Sequence, residues 1–187
     1  MRLQVVFRYI GMVLLFESAF MLLSAFVSYA NGIDSGFTPL LLSFLLTALL
    51  GSFPLIFVGK SNRLSSKESY AIVIGAWLTS CVVGTFPYLL WGGEFSVINA
   101  WFESVSGFTT TGASILTDIE FLPRGLLFWR ASSAWIGGIG VVMFALVILP
   151  SIGKSKMMLS HFELSSLAKD TFNLYRTPTV VRIILSV

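Results

Sequence analysis

Charged side chains are scarce in this sequence: only 11% of its 187 residues are Asp, Glu, Lys or Arg. Soluble domains carry about a quarter. Hydrophobic residues make up 56% of the chain, and the mean hydropathy is +0.87. This composition excludes an ordinary soluble domain, and the sequence therefore predicts an integral membrane protein.

Cysteine and histidine are nearly absent, with one of each. A single cysteine excludes an intrachain disulfide, and because Cys81 lies in an apolar run we expect a buried, unreactive thiol. His161 has no histidine or cysteine partner with which to build a zinc site. The sequence also lacks a Ser/His/Asp arrangement and paired carboxylates beside a cleft. We therefore predict neither an enzyme nor a cofactor.

Long apolar runs are what the chain does contain. A helix of about 20 residues crosses the roughly 30 Å of hydrocarbon in a bilayer. Four runs are long enough: Phe7 to Tyr29, Leu40 to Val58, Tyr70 to Trp91 and Leu126 to Leu149. The first run exceeds the apolar core of about 7–15 residues in a signal peptide, so it is predicted to be a retained span. The fold class predicted is an all-α polytopic membrane protein.

Basic residues are distributed unevenly between the loops. Ten of the 12 Lys and Arg residues lie before or at the very start of the first run, between the second and third, or after the fourth. Lys and Arg in short loops mark the cytoplasmic side. The N-terminus is therefore predicted to be cytoplasmic, and the loop between the third and fourth runs to face outward.

A polar, glycine-punctuated stretch, WFESVSGFTTTGAS at Trp101 to Ser114, separates the third and fourth runs. The segment 95–108 is too short to cross a membrane and is predicted to be a pore helix, followed by a filter at 109–114. Lipid offers the backbone no hydrogen-bond partners, so irregular chain at membrane depth must be surrounded by protein or line a wet pathway. Backbone carbonyls there can replace the hydration shell of a cation. The carbonyls predicted to do so belong to Thr110, Thr111, Gly112 and Ala113.

Gly112 is the pivotal residue of this prediction, because carbonyls facing one axis require backbone angles that a β-carbon resists. The alternative is a half-helix packed for structural reasons alone, which we regard as the weaker interpretation. The spacing from Gly107 to Gly112 also matches a Walker A loop, but Ala113 stands where a lysine must reach the phosphates. Nucleotide binding by this loop is therefore excluded.

Three charged residues fall in apolar surroundings, where charges are costly unless paired or hydrated. Glu103 and Arg130 are predicted to form a pair that supports the pore loop; alternatively, Arg130 extends to the outer interface. Glu17 lies in the first run, and a bond to a neighbouring helix is favoured over a proton or ion relay. The three glycines within 137–140 are predicted to allow close packing behind the pore loop, rather than a gating bend.

Beyond Pro150 the chain becomes polar, and HFELSSLAKDTFNLY at His161 to Tyr175 is typical of a short cytoplasmic helix near the membrane surface. Another apolar run begins at Thr179 and reaches nine residues, less than half a bilayer. We therefore expect the chain to be the N-terminal part of a longer protein.

Two stretches, FESVSGFTTTGASI and FWRASSAWIGGIGVVMFALVILP, resemble the TrkH/TrkG branch of the Trk/Ktr/HKT superfamily of potassium transporters. The resemblance implies two extra N-terminal helices followed by repeats of helix, pore loop and helix around a pseudo-fourfold axis. The implied division is two helices at 1–59, a cytoplasmic loop at 60–69, the first repeat at 70–150, a cytoplasmic linker at 151–178 and the start of a second repeat at 179–187.

The resemblance also implies a function. Thr110, Thr111, Gly112 and Ala113 would form one quarter of a potassium filter, and a glycine at position 112 accompanies potassium selectivity where serine goes with sodium permeation. The implied setting is the bacterial inner membrane, with a homodimer that binds a cytoplasmic, nucleotide-binding TrkA-type subunit.

Two other classes of function remain to be distinguished. In a non-conducting assembly subunit of a membrane complex, the threonine-rich turn would be only a packed re-entrant loop. A polytopic lipid-modifying enzyme would need acidic or histidine residues converging at an interface. It is disfavoured because Glu17, Glu103 and His161 are predicted at different depths.

Overall fold

The computed structural model describes residues 2–59 and 65–142, and within these ranges every regular element is an α-helix. These helices are α1 (Leu3–Ala30), α2 (Phe37–Phe57), α3 (Ser66–Val83), α4 (Phe86–Trp91), α5 (Val97–Phe108) and α6 (Arg124–Val142). In this part of the chain four segments are long and apolar enough to cross a membrane: α1, α2, α3 together with α4, and α6. The predicted all-α polytopic fold with four spans is confirmed. The predicted linker at 151–178 and second repeat at 179–187 lie outside the described residues.

The first two helices pack with their backbones in direct contact. A β-carbon built on Gly11 of α1 would lie 2.6 Å from the carbonyl oxygen of Gly51 in α2. At the C-terminal end of α2, where helix carbonyls lack intrahelical partners, Arg8 donates hydrogen bonds to the carbonyls of Leu55 and Val58. Glycine contacts and one arginine therefore hold α1 and α2 together as a pair.

The N-terminus is joined to the start of α3 by an ion pair. Glu68 accepts hydrogen bonds from the backbone N–H of Arg2 at 2.9 Å and from its guanidinium Nε at 3.1 Å. Glu68 also accepts from the backbone N–H of Ser65 at 2.9 Å, which satisfies one of the unpaired donors at the helix start. One buried carboxylate thus fixes both the entry to α1 and the beginning of α3.

The third span is interrupted near its C-terminal end, where Pro87 favours a kink. A turn at Gly84 and Thr85 separates α3 from α4, and Pro87, which lacks an N–H, lies in the first turn of α4. A β-carbon on Gly84 would lie 2.4 Å from the ring of Phe108, and Trp129 Nε1 donates to the Gly84 carbonyl at 3.3 Å. The interruption therefore brings this junction against α5 and α6.

Candidate functional site

Helix α5 has 12 residues, which at about 1.5 Å per residue cover little more than half of the hydrocarbon thickness. It begins at Val97 rather than at Phe95, because the side chain of Ser96 accepts a hydrogen bond from the backbone N–H of Asn99 and caps the helix. Phe95 is buried in the core before the cap. The predicted boundary at 95 is therefore two residues early, whereas the predicted end at Phe108 agrees with the structure.

The chain turns sharply after Phe108. Thr110 and Gly112 both have left-handed backbone angles, with φ of 58° and 71°. A left-handed conformation is ordinary for glycine and uncommon for threonine. Hydrogen bonds at the end of α5 hold the turn: the N–H of Thr110 donates to Gly107 O at 2.8 Å, and that of Thr111 to Ser106 O at 3.1 Å. The sequence indicated the special backbone at Gly112 but not that at Thr110.

The four predicted filter carbonyls fall into two pairs. The Ala113 carbonyl accepts a hydrogen bond from Ser106 Oγ at 2.6 Å, and Arg130 Nη2 lies 3.3 Å from the Gly112 carbonyl and 3.5 Å from that of Ala113. Among the described residues, no donor bonds to the carbonyls of Thr110 and Thr111. All four residues are exposed. The carbonyls of Gly112 and Ala113 thus anchor the loop to the protein, whereas those of Thr110 and Thr111 accept no hydrogen bond from the described residues.

Glu103 and Arg130 lie in contact behind this loop. Arg130 Nε is 3.1 Å from Glu103 Oε2, and the Glu103 side chain has no exposed surface. The other Glu103 oxygen accepts from the backbone N–H of Ile115 at 2.9 Å and from the hydroxyl of Ser114. Arg130 therefore does not extend to the outer interface in this structure. The pair connects α5, the far side of the turn and α6 through charge-assisted hydrogen bonds.

One of the three glycines near the end of α6 is in close contact with the C-terminal end of α5. A β-carbon on Gly137 would lie 2.2 Å from the carbonyl oxygen of Phe108, which also accepts a hydrogen bond from Trp77 Nε1 at 3.2 Å. On Gly138 and Gly140 a β-carbon would meet nothing closer than 3.8 Å and 4.0 Å. Among contacts within the described residues, the predicted close packing is found at Gly137 alone.

Sequence reasoning missed several residues that hold the loop. Trp77 lies 31 positions before the carbonyl that it binds, and no local pattern indicates such a contact. The hydroxyl of Ser133 fills the space where a side chain on Gly107 would lie, at 2.4 Å. The small residues of α6, Ser133 and Gly137, recur at a spacing of four and so share a helix face. This spacing was the available signal for a close helix contact.

The other residues singled out in the sequence lie apart from this loop or outside the described part of the chain. Cys81 is a buried free thiol, as predicted. No group of three or more His, Cys, Asp or Glu residues that could hold a metal ion occurs among residues 2–59 and 65–142. His161 lies outside those ranges. A helix, rather than a strand, precedes the glycine-containing turn, which agrees with the exclusion of a Walker A loop.

Comparison with known proteins identifies the family. Residues 40–187 match the TrkH family model, described as a cation transport protein. Over 174 residues the chain is 32% identical to the Trk system potassium uptake protein TrkH of Vibrio parahaemolyticus, covering 91% of this chain and 36% of that one. Against the Trk system potassium uptake protein TrkH of Escherichia coli it is 31% identical over 175 residues, covering 91% and 35%.

A solved structure of a TrkH protein has a similar fold. The crystal structure of the potassium transporter TrkH from Vibrio parahaemolyticus superposes with a TM-score of 0.73 at 28% identity, covering 88% of this chain and 37% of that one. The chain spans about a third of the length of the relatives that it matches. Both the family match and the helical likeness confirm the resemblance found in the sequence, and the chain belongs to the TrkH family of cation transport proteins.

Proposed function

We propose that this chain contributes one pore loop to a Trk-type potassium uptake system. The single observation that carries the proposal is the turn after α5, where Thr110 and Gly112 are left-handed and the carbonyls that follow are held from behind by Arg130. Irregular backbone of this kind in a membrane-spanning chain needs a wet or protein-lined site. That the ion is potassium is inferred from the names of the relatives, which are Trk system potassium uptake proteins.

In this proposal, carbonyl oxygens at Thr110, Thr111, Gly112 and Ala113 take the place of potassium's hydration water. The Thr110 and Thr111 carbonyls have no donor in the described part of the chain and are available to an ion. Each carbonyl oxygen has two lone pairs, so Gly112 and Ala113 can accept from the protein and still face a cation. One loop offers only one side of a coordination shell. Further pore loops, in a longer polypeptide or in other copies of the chain, must complete the ring.

The proposal extends to the arrangement of the whole system. Residues 1–59 form the two extra helices, and 70–150 form the first repeat of helix, pore loop and helix. The system lies in the bacterial inner membrane as a homodimer and binds a cytoplasmic, nucleotide-binding TrkA-type subunit. The placement of ten of the 12 basic residues supports a cytoplasmic N-terminus.

Orientation can be tested with introduced cysteines, because Cys81 is buried and should not react. We expect a membrane-impermeant maleimide to label Glu120→Cys in intact cells, since Glu120 is exposed in the loop before α6. Lys67→Cys, equally exposed at the start of α3, should be labelled only after the cells are permeabilised. The reverse pattern would place the N-terminus outside and contradict the proposed orientation.

Ion selectivity tests the pore itself. We expect Gly112→Ser to lose the preference for rubidium over sodium in tracer uptake by potassium-uptake-deficient bacteria that express the intact reading frame. A left-handed residue with a β-carbon costs about 1–2 kcal/mol, so the carbonyls of the turn will leave their positions. A steric clash is not the reason for this shift, because no atom of the described residues lies within 4 Å of a β-carbon built at Gly112.

Gly92→Ser is the matched control for this experiment. Gly92 also has a positive φ, 76°, and open space around it, but it lies before the pore helix. We expect this variant to keep the wild-type ion preference at matched membrane abundance. If wild type, Gly92→Ser and Gly112→Ser are all well inserted and none transports either ion, the transporter proposal fails and the assembly-subunit alternative takes its place.

A further inference from the structure

The carboxyl group of Glu17 is enclosed in the interior of the membrane-spanning part of the chain. It lies near the middle of α1, and its relative exposure is 0%. Neither of its carboxyl oxygens makes a hydrogen bond in the described part of the chain. Ser80 of α3 is close enough to act on the carboxyl, but without hydrogen-bond geometry. The hydrogen bond to a neighbouring helix that the sequence favoured is thus not found in the described part of the chain, although Ser80 of α3 lies beside the carboxyl.

In the described part of the chain, no cation forms an ion pair with this carboxyl. Helix α2 contains no titratable residue. On α3 the buried thiol of Cys81 follows Ser80, and the other titratable residues, Lys67, Glu68 and Tyr70, lie at the start of that helix. On α6, Arg130 is engaged by Glu103. On α1 itself, Arg8 donates to carbonyls at the end of α2. The charged groups that could neutralise Glu17 are thus bound elsewhere in the described structure.

Burial of an ionised carboxylate without a partner is very unfavourable, and such a group takes up a proton instead. The same holds in a membrane-spanning segment, where a charge is costly unless it is paired or faces water. Because Glu17 is fully enclosed by its own chain, groups outside this fold cannot reach it unless α1 and α3 separate. Its protonation and the packing of α1 against α3 are therefore linked.

We propose that Glu17 is a proton-binding site at the junction of α1 and α3. The carboxyl is a neutral acid while the two helices are packed, and it ionises only when water enters between them. The packed arrangement holds one proton more than the open one, so rising pH favours opening. This inference does not rest on the proposed transport function, since it concerns the packing of two helices of this chain.

The test compares the purified protein from the intact reading frame with Glu17→Gln, whose amide resembles the neutral acid in shape and cannot ionise. From about pH 6 to about pH 8 we expect the wild-type melting temperature in detergent to fall by about 3 °C or more beyond the fall seen in Glu17→Gln. We also expect the infrared spectrum of the wild type at neutral pH to contain a protonated carboxyl band that is missing from Glu17→Gln.

Equal pH dependence in the two proteins, with no difference in the protonated carboxyl band, would overturn the proposal. Should Glu17→Gln fail to accumulate, Glu17→Met provides the same comparison, because it removes every ionisable and hydrogen-bonding group at the site. Rubidium uptake is not the readout, so failure of the transport proposal and failure of this one are distinguishable.

Discussion

Replacing Gly137 with alanine is expected to destabilise the protein and to reduce rubidium uptake at least about tenfold, whereas the same change at Gly138 is expected to leave both nearly unchanged. The added β-carbon at Gly137 would lie 2.2 Å from the carbonyl oxygen of Phe108. The opposing atom is a backbone atom at the end of α5, and it cannot move aside as a flexible side chain can. Overpacking of this kind costs about 1–3 kcal/mol.

Gly138→Ala is the matched control, since it makes the same chemical change one position away on the same helix. Its β-carbon would meet only a methyl group of Thr110, at 3.8 Å. Alanine favours a helix over glycine by about 1 kcal/mol, so this variant should melt at or slightly above the wild-type temperature. Melting temperature in detergent and membrane abundance test the packing independently of transport. Equal effects of the two variants would contradict the close contact at Gly137.

The course of the chain through the membrane was predictable because hydrocarbon imposes a simple requirement on length and composition. Apolar runs of about 20 residues must become helices in lipid, and each of the four runs is helical within the described part of the chain, apart from the turn between α3 and α4. Pro87 favours a kink near the end of the third run, but the contact made at the break was not predictable. There Gly84 lies against the ring of Phe108, 24 positions later in the chain. A hydropathy pattern contains no information on which distant side chain meets a given glycine.

In the candidate site, too, some features could be predicted from the sequence and others could not. Gly112 could be identified because its conformational freedom is a property of the residue itself, and it does adopt a positive φ. Thr110 could not, since its left-handed backbone results from hydrogen bonds that only the folded turn contains. The contact of Glu103 with Arg130 followed from the cost of isolated charges in a membrane. The further bonds from Arg130 to the loop carbonyls depend on geometry, and no residue type predicted them.

The ion pair between Arg130 and Glu103 leads to the prediction with the largest expected effect on stability. Arg130→Ala is expected to destabilise the protein by about 3–5 kcal/mol, because it leaves the fully buried carboxylate of Glu103 without its partner. Arg124→Ala is the matched control on the same helix. The guanidinium of Arg124 binds the exposed side chain of Asn31 at 3.1 Å, and such surface contacts contribute little. Thermal melting and membrane abundance should therefore separate the two variants clearly.

The double variant Glu103→Gln/Arg130→Met distinguishes support of the fold from support of the loop. It removes both charges at once, so no unpaired charge stays buried, and we expect stability to recover most of the loss seen in Arg130→Ala. The carbonyls of Gly112 and Ala113 nevertheless lose the guanidinium that holds them. Uptake by the double variant should consequently show a reduced preference for rubidium over sodium, although the protein is abundant. A double variant with wild-type stability and wild-type ion preference would show that Arg130 does not position the proposed filter, and that its bonds to the loop carbonyls have no role in choosing the ion.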